Sequence, residues 1–103
     1  MSTIPAGDVT VTIVISNFKV VDKTGQAAAP GEGHIVYYLD STPLTTAGQA
    51  ATPATGLFTD STATSYTWHN ATSGMHSLSV QLVNNDDTPL SPPVTSMENV
   101  VVK

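Results

Sequence analysis

The chain has 103 residues, a mass of 10.7 kDa and a formal net charge of −5, from three basic residues against eight acidic ones. That length is one domain's worth, since domains run to roughly 100–150 residues, and 40% hydrophobic residues argue against disorder. So few cations cannot neutralise a run of phosphates, which argues against nucleic acid and makes anionic membrane a poor partner; no apolar run reaches the roughly twenty residues of a membrane span.

The absence of cysteine removes disulfides, thiolate metal sites and cysteine nucleophiles together, leaving soft-metal chemistry to three histidines and three methionines. The first residues, Met1-Ser2-Thr3-Ile4-Pro5-Ala6-Gly7-Asp8, lack the basic and apolar regions of a signal peptide. Ser and Thr nevertheless supply about a quarter of the chain while Lys and Arg nearly vanish, a balance common in exported β-proteins. The expected location is extracellular, periplasmic or at the cell surface after removal of a leader. Residues 1–8 read as a tail and residues 9–103 as a single domain.

Val9, Val11, Ile13 and Ile15 alternate with mostly hydroxyl residues at period two, predicting a strand with those four side chains inward. Phe18 and Val20 carry the apolar spacing onto even numbers, so the register shifts near Ser16-Asn17 and one strand region serves two sheets. Turn formers fill residues 22–33. His34-Ile35-Val36-Tyr37-Tyr38-Leu39 is then β-branched and aromatic on both faces, the pattern of a central strand. Residues 40–55 are small, polar and interrupted by Pro43 and Pro53, predicting a surface loop too poor in large side chains to anchor a core. Thr64, Tyr66 and Trp68 share one face of a strand that turns through residues 69–74 into its hairpin partner. In that partner, residues 75–83, His76, Leu78, Val80 and Leu82 face the core opposite Ser77, Ser79 and Gln81. A polar turn at residues 84–89 leads past Pro92-Pro93 into a last strand, residues 94–102, and no amphipathic helix is found. Six or seven short strands predict an all-β, antiparallel two-sheet sandwich of immunoglobulin or fibronectin type III kind, without the Cys-Trp-Cys core of antibody domains.

Imidazole is a common ligand of borderline metals, and His34 follows Gly31-Glu32-Gly33, whose glycines admit close approach of backbone or ligand. A lone strand-end histidine is more often a hydrogen-bonding residue. His34, His76 and Met75 would make a thioether-imidazole copper site if their strand ends met. Otherwise Met75 and Met97 are flexible core filler and His69 is solvated. Asn84, Asn85, Asp86 and Asp87 offer oxygens for calcium at no EF-hand spacing, and such turns usually cap their own backbone. Asp40 and Asp60 read as isolated carboxylates without the neighbouring acid or histidine that acid–base catalysis needs. Asn70-Ala71-Thr72 matches the N-glycosylation acceptor pattern, or else is a polar turn. No nucleophile elbow occurs, so an enzyme is not expected.

The stretch from Gly31 to Asp40, with Gly74-Met75-His76-Ser77-Leu78 and the segment Val83-Asn84-Asn85-Asp86-Asp87-Thr88-Pro89-Leu90-Ser91-Pro92-Pro93-Val94, resembles a family of small exported bacterial and archaeal domains similar to the DUF4399 group. The resemblance runs from about residue 8 to the C-terminus and implies an immunoglobulin-like sandwich, a leader peptide and no assigned enzymatic activity. Relatives often carry further histidines at the positions of Val36 and Asp87, so the resemblance implies that this chain keeps His34 and His76 and exchanges a third imidazole for a carboxylate. Residues and resemblance together predict a non-enzymatic extracellular module with a structural or interaction role, which self-associates through the N-terminal strand, residues 8–15, as a surface or filament subunit. The alternative is a small copper- or zinc-binding protein using His34 and His76, completed by Asp87 or Met75.

Overall fold

Alternating β-branched residues and turn signals yield strands throughout, and the described residues contain no helix. The structure is a computed structural model that describes residues 2–4, 7–46, 48–52 and 57–103. Its strands are β1 (Ser2–Ile4), β2 (Gly7–Thr12), β3 (Lys19–Val20), β4 (Glu32–Leu39), β5 (Leu57–Ser61), β6 (Ser65–Ala71), β7 (Gly74–Val83) and β8 (Pro89–Val102). They form a six-stranded sheet in the order β1-β8-β7-β4-β3, with β5 also on β4, and a two-stranded sheet of β2 and β6. Most pairings are antiparallel; β1 on β8 and β3 on β4 are parallel, which departs from the all-antiparallel expectation.

The core lies between the two sheets. Ile35, Tyr37 and Leu39 of β4 stand opposite Leu82, Val80 and Leu78 of β7, so one face of the large sheet is continuously apolar. The small sheet covers it with Val9 and Trp68, while Val11, Ile13, Ile15 and Tyr66 pack alongside. The Tyr66 ring stacks on Tyr37 and meets Trp68 edge-on, with centroids 5.5 and 4.9 Å apart, a geometry that suits the aromatic quadrupole. The period-two pattern at residues 9–15 thus faces inward as predicted. Asn17 takes a left-handed φ of 58°, and beyond it β3 joins the large sheet, so the register shift is where the chain changes sheets.

Three expectations are corrected. First, residues 1–8 are not all tail, because Ser2–Ile4 pairs with β8 and β2 begins at Gly7. Second, β6 and β7 are adjacent in sequence yet lie in different sheets: β6 pairs with β2 and runs to Ala71, so the link at Thr72-Ser73 crosses between sheets instead of closing a hairpin. Third, the segment after Asp40 packs over the outer face of the large sheet. Ala51 is fully buried against Val36, Tyr38 and Val83, and the Tyr38 hydroxyl donates to the Ala51 carbonyl at 2.9 Å. Gln81 Nε2 donates to the Leu44 carbonyl and the Tyr38 hydroxyl, both at 3.0 Å. Backbone hydrogen bonds, more than large side chains, attach this cover, which is why Ser79 and Gln81 are buried in a strand whose pattern looks one-sided. Pro53 and residues 54–56 lie outside the described residues.

Candidate functional site

His34 begins the buried run of β4, and its neighbour explains why it can. Gly33 lies against the Val83 backbone carbonyl so closely that a Cβ there would overlap it, so the strand start is open only to glycine. With that approach allowed, His34 pairs with Val83 on the outer face of the sheet and is 0% exposed. Two carboxylates reach its ring. Asp60 of β5 sits opposite Val36, one step along the same face, and places Oδ2 2.7 Å from His34 Nε2. Asp87 lies in the turn after β7 at a φ of 68° and places Oδ1 2.6 Å from the same nitrogen. The Ala51 N–H donates to the Asp87 carbonyl at 2.8 Å, which ties the covering segment to this corner.

Both carboxylates contact one nitrogen, and one nitrogen carries at most one hydrogen. The Asp60 hydrogen bond, assisted by Asp87, holds the His34 imidazole above its ordinary pKa against the opposing effect of burial. The same contact draws the Asp60 carboxyl below its usual range. Burial, together with the neighbouring Asp60 charge, pushes the Asp87 carboxyl up to about 6. Of the two carboxyls, Asp87 is therefore the one that takes up or loses a proton near pH 6.

His76 does not join this group. It lies on the core face of the sheet, beyond the other end of β4, where its Nδ1 meets Asp40 Oδ2 at 2.6 Å and its Nε2 lies 2.7 Å from the Thr72 carbonyl. Asp40, and secondarily the Thr72 carbonyl, raise the His76 pKa. Asp40 also accepts the Ser77 N–H at 3.0 Å, so it serves as the cap where β4 ends. His34 stands opposite Val83, seven residues of strand from His76 at about 3.3 Å each, and a shared metal site of His34, His76 and Met75 is excluded. Met75 and Met97 are 63% and 57% exposed, which corrects their assignment as core filler.

The remaining candidates are placed simply. Asp86 accepts from the Thr88 hydroxyl at 2.6 Å and the Thr88 N–H at 3.2 Å, a turn capping itself. Asn85 is buried and donates to the Ala27 carbonyl and to Glu32. His69 is exposed beside Asp8, as expected of a solvated residue. Asn70 is exposed at the end of β6 with a φ of 60°.

Of the sequence candidates, His34 and Asp87 come together and Asp60 is the member that was missed. Asp40 and Asp60 are not isolated carboxylates: each meets a histidine distant in sequence. The available signal for Asp60 is a lone acid in the apolar-and-hydroxyl stretch Leu57-Phe58-Thr59-Asp60-Ser61, a charge within a strand that asks for a partner. No helix among the described residues is long and apolar enough to cross a membrane. Comparisons of the chain with protein-family models, with curated proteins and with solved structures find no match.

Proposed function

We propose that the protein is a non-enzymatic, extracellular immunoglobulin-like module with a structural role, which associates with a second copy of itself by pairing β2 edge to β2 edge. The observation that carries this reading is an open strand edge. Among the described residues, β2 is hydrogen-bonded in its sheet to β6 alone. Ile13 N–H donates to the Thr64 carbonyl at 2.8 Å, so by antiparallel alternation the N–H groups of Thr10 and Thr12 point away from β6. Sheet edges are usually guarded by charge, proline or a bulge; here the Asp8 charge and a register shift between Gly7 and Val9 sit at the first residues of β2, while residues 9–18 contain neither a charge nor a proline. Beside this edge runs an open groove of about 570 Å³, floored by Leu78 and Val80 and bounded on its far side by Ser96 to Glu98 of β8. Val14, next in line, is an exposed apolar side chain.

Two β2 strands meeting about a twofold axis would extend the small sheet to β6-β2-β2-β6 and satisfy the outward N–H groups of both copies. The structural role is also consistent with the Ser/Thr-rich, cation-poor surface. Sedimentation equilibrium from micromolar to millimolar concentration tests the reading. Dimers are expected for the native chain, and monomers for Thr10→Pro, which removes an outward N–H and keeps the backbone ladder to β6 while losing the Thr10–Thr67 hydroxyl contact, and for Val14→Lys. A native chain that stays monomeric throughout, or variants that dimerise as well as it does, would refute it.

A further inference from the structure

We infer that His34, Asp60 and Asp87 form a binding site for one divalent transition cation of the zinc class, on the outer face of the large sheet. The argument begins with the ring nitrogen. One ligand atom from each residue, a His34 nitrogen and two carboxylate oxygens, lies within 4.8 Å of the others. The two oxygens converge on Nε2 at 2.7 and 2.6 Å, while Nδ1, on the far side of the buried ring, has no hydrogen-bond partner among the described residues. A hydrogen on Nε2 can serve only one of the two carboxylates at a time, and a hydrogen on Nδ1 has no acceptor among the described residues. With the hydrogen on Nδ1, the Nε2 lone pair faces two carboxylates, an arrangement that repels unless a proton or a cation sits among them. A dication placed there accepts the lone pair and offsets both negative charges together, which a single proton does not.

The donor set selects the class of cation. Calcium takes six to eight oxygens and magnesium keeps most of its waters, so an imidazole among only three protein ligands suits neither. One imidazole nitrogen and two carboxylate oxygens suit zinc and its first-row neighbours, which accept three protein ligands with a water in the fourth position. At metal–ligand distances of about 2.0–2.2 Å, tetrahedral ligand atoms stand roughly 3.3–3.6 Å apart. The present contacts of 2.6 and 2.7 Å therefore open by about 0.6–1.0 Å, within reach of two carboxylate rotations. Each aspartate side chain is 25% exposed while His34 is sealed, so the cation enters from the carboxylate side and its water faces solvent. The site differs from the sequence expectation by including Asp60 and leaving out His76 and Met75.

The test is calorimetric titration of the chelator-stripped full-length chain with zinc chloride at pH 7.5, with magnesium chloride in parallel and thermal melts on the same samples. One zinc per chain is expected, with a raised melting temperature and no magnesium heat. Asp60→Asn and Asp87→Asn should each weaken zinc binding by more than the roughly 10–100-fold that loss of an outer partner costs, while Asp40→Asn leaves it unchanged. Independently of any variant, zinc should shift the His34 imidazole 15N resonances in the native chain and leave those of His69 and His76 in place. Absence of saturable zinc binding, binding that survives in both Asn variants, or a shift at His76 or His69 instead of His34 would overturn the assignment.

Discussion

Asp87→Asn in the metal-free chain separates the electrostatics of the His34 corner from its shape. Asparagine keeps the volume of aspartate and tolerates the left-handed φ of 68° at this position. Its amide stands in for the protonated carboxyl, with one oxygen to accept from His34 Nε2 and an NH2 group to donate toward Asp60. The folded-state carboxyl is pushed up to about 6, with burial as the first cause, from an unfolded value near 3.8. A raised folded pKa means that the folded chain binds more protons between those values. The stabilisation linked to that proton is therefore fully present below about pH 4 and is lost as pH rises through about 6. The rise from 3.8 to about 6, at 1.36 kcal/mol per pH unit, sets a ceiling of roughly 3 kcal/mol, which the quarter exposure of the side chain reduces to an expected ~1–2 kcal/mol. The variant should match the native chain below about pH 4 and exceed it by that margin at pH 8, about 5–15 °C in melting temperature for a domain this size. Urea unfolding of chelator-stripped samples from about pH 3 to pH 8 measures the gap. A variant equally destabilised at every pH would refute the reasoning, because it would show that Asp87 is held as a charged acceptor and not as a buried acid.

Gly33→Ala should prevent the β4–β7 register from closing at Val83 and cost about 3 kcal/mol or more, seen as loss of a cooperative thermal transition; a melting temperature within a few degrees of native would contradict the close approach. Asp40→Asn tests the other histidine. The His76 pKa is raised by Asp40, so the pair's stabilisation, roughly 1 kcal/mol, is present below about pH 6.5 and fades as pH rises through the folded value. The difference in urea midpoint between native and variant should therefore narrow on going from pH 6 to pH 9. Tyr38→Phe removes the hydroxyl that joins Ala51 and Gln81 and should cost about 1–2 kcal/mol, with faster amide exchange at Ala51 as the covering segment loosens.

Local pattern alone determined the strands and much of what they bury. The alternation at residues 9–15, the doubly apolar run at residues 34–39 and the spacing of Leu78, Val80 and Leu82 place side chains on faces, because a strand's period of two is a property of each segment by itself. The register shift near Asn17 was legible for the same reason. Which strand pairs with which is not local. Sequence adjacency suggested a hairpin for β6 and β7, but the small sheet takes β6 to cover the core with Tyr66 and Trp68, and that choice belongs to the whole packing. The covering segment is not legible in the sequence because its attachment runs through backbone carbonyls at Leu44 and Ala51, and backbone groups leave no trace in residue type. His34 and Asp87 stood out as single residues, whereas their union with Asp60 needed β5 on one side of β4 and the turn after β7 on the other. Asp40 joined His76 in the same way, across 36 positions. Charged side chains find partners by proximity in space, and only tertiary structure sets that proximity.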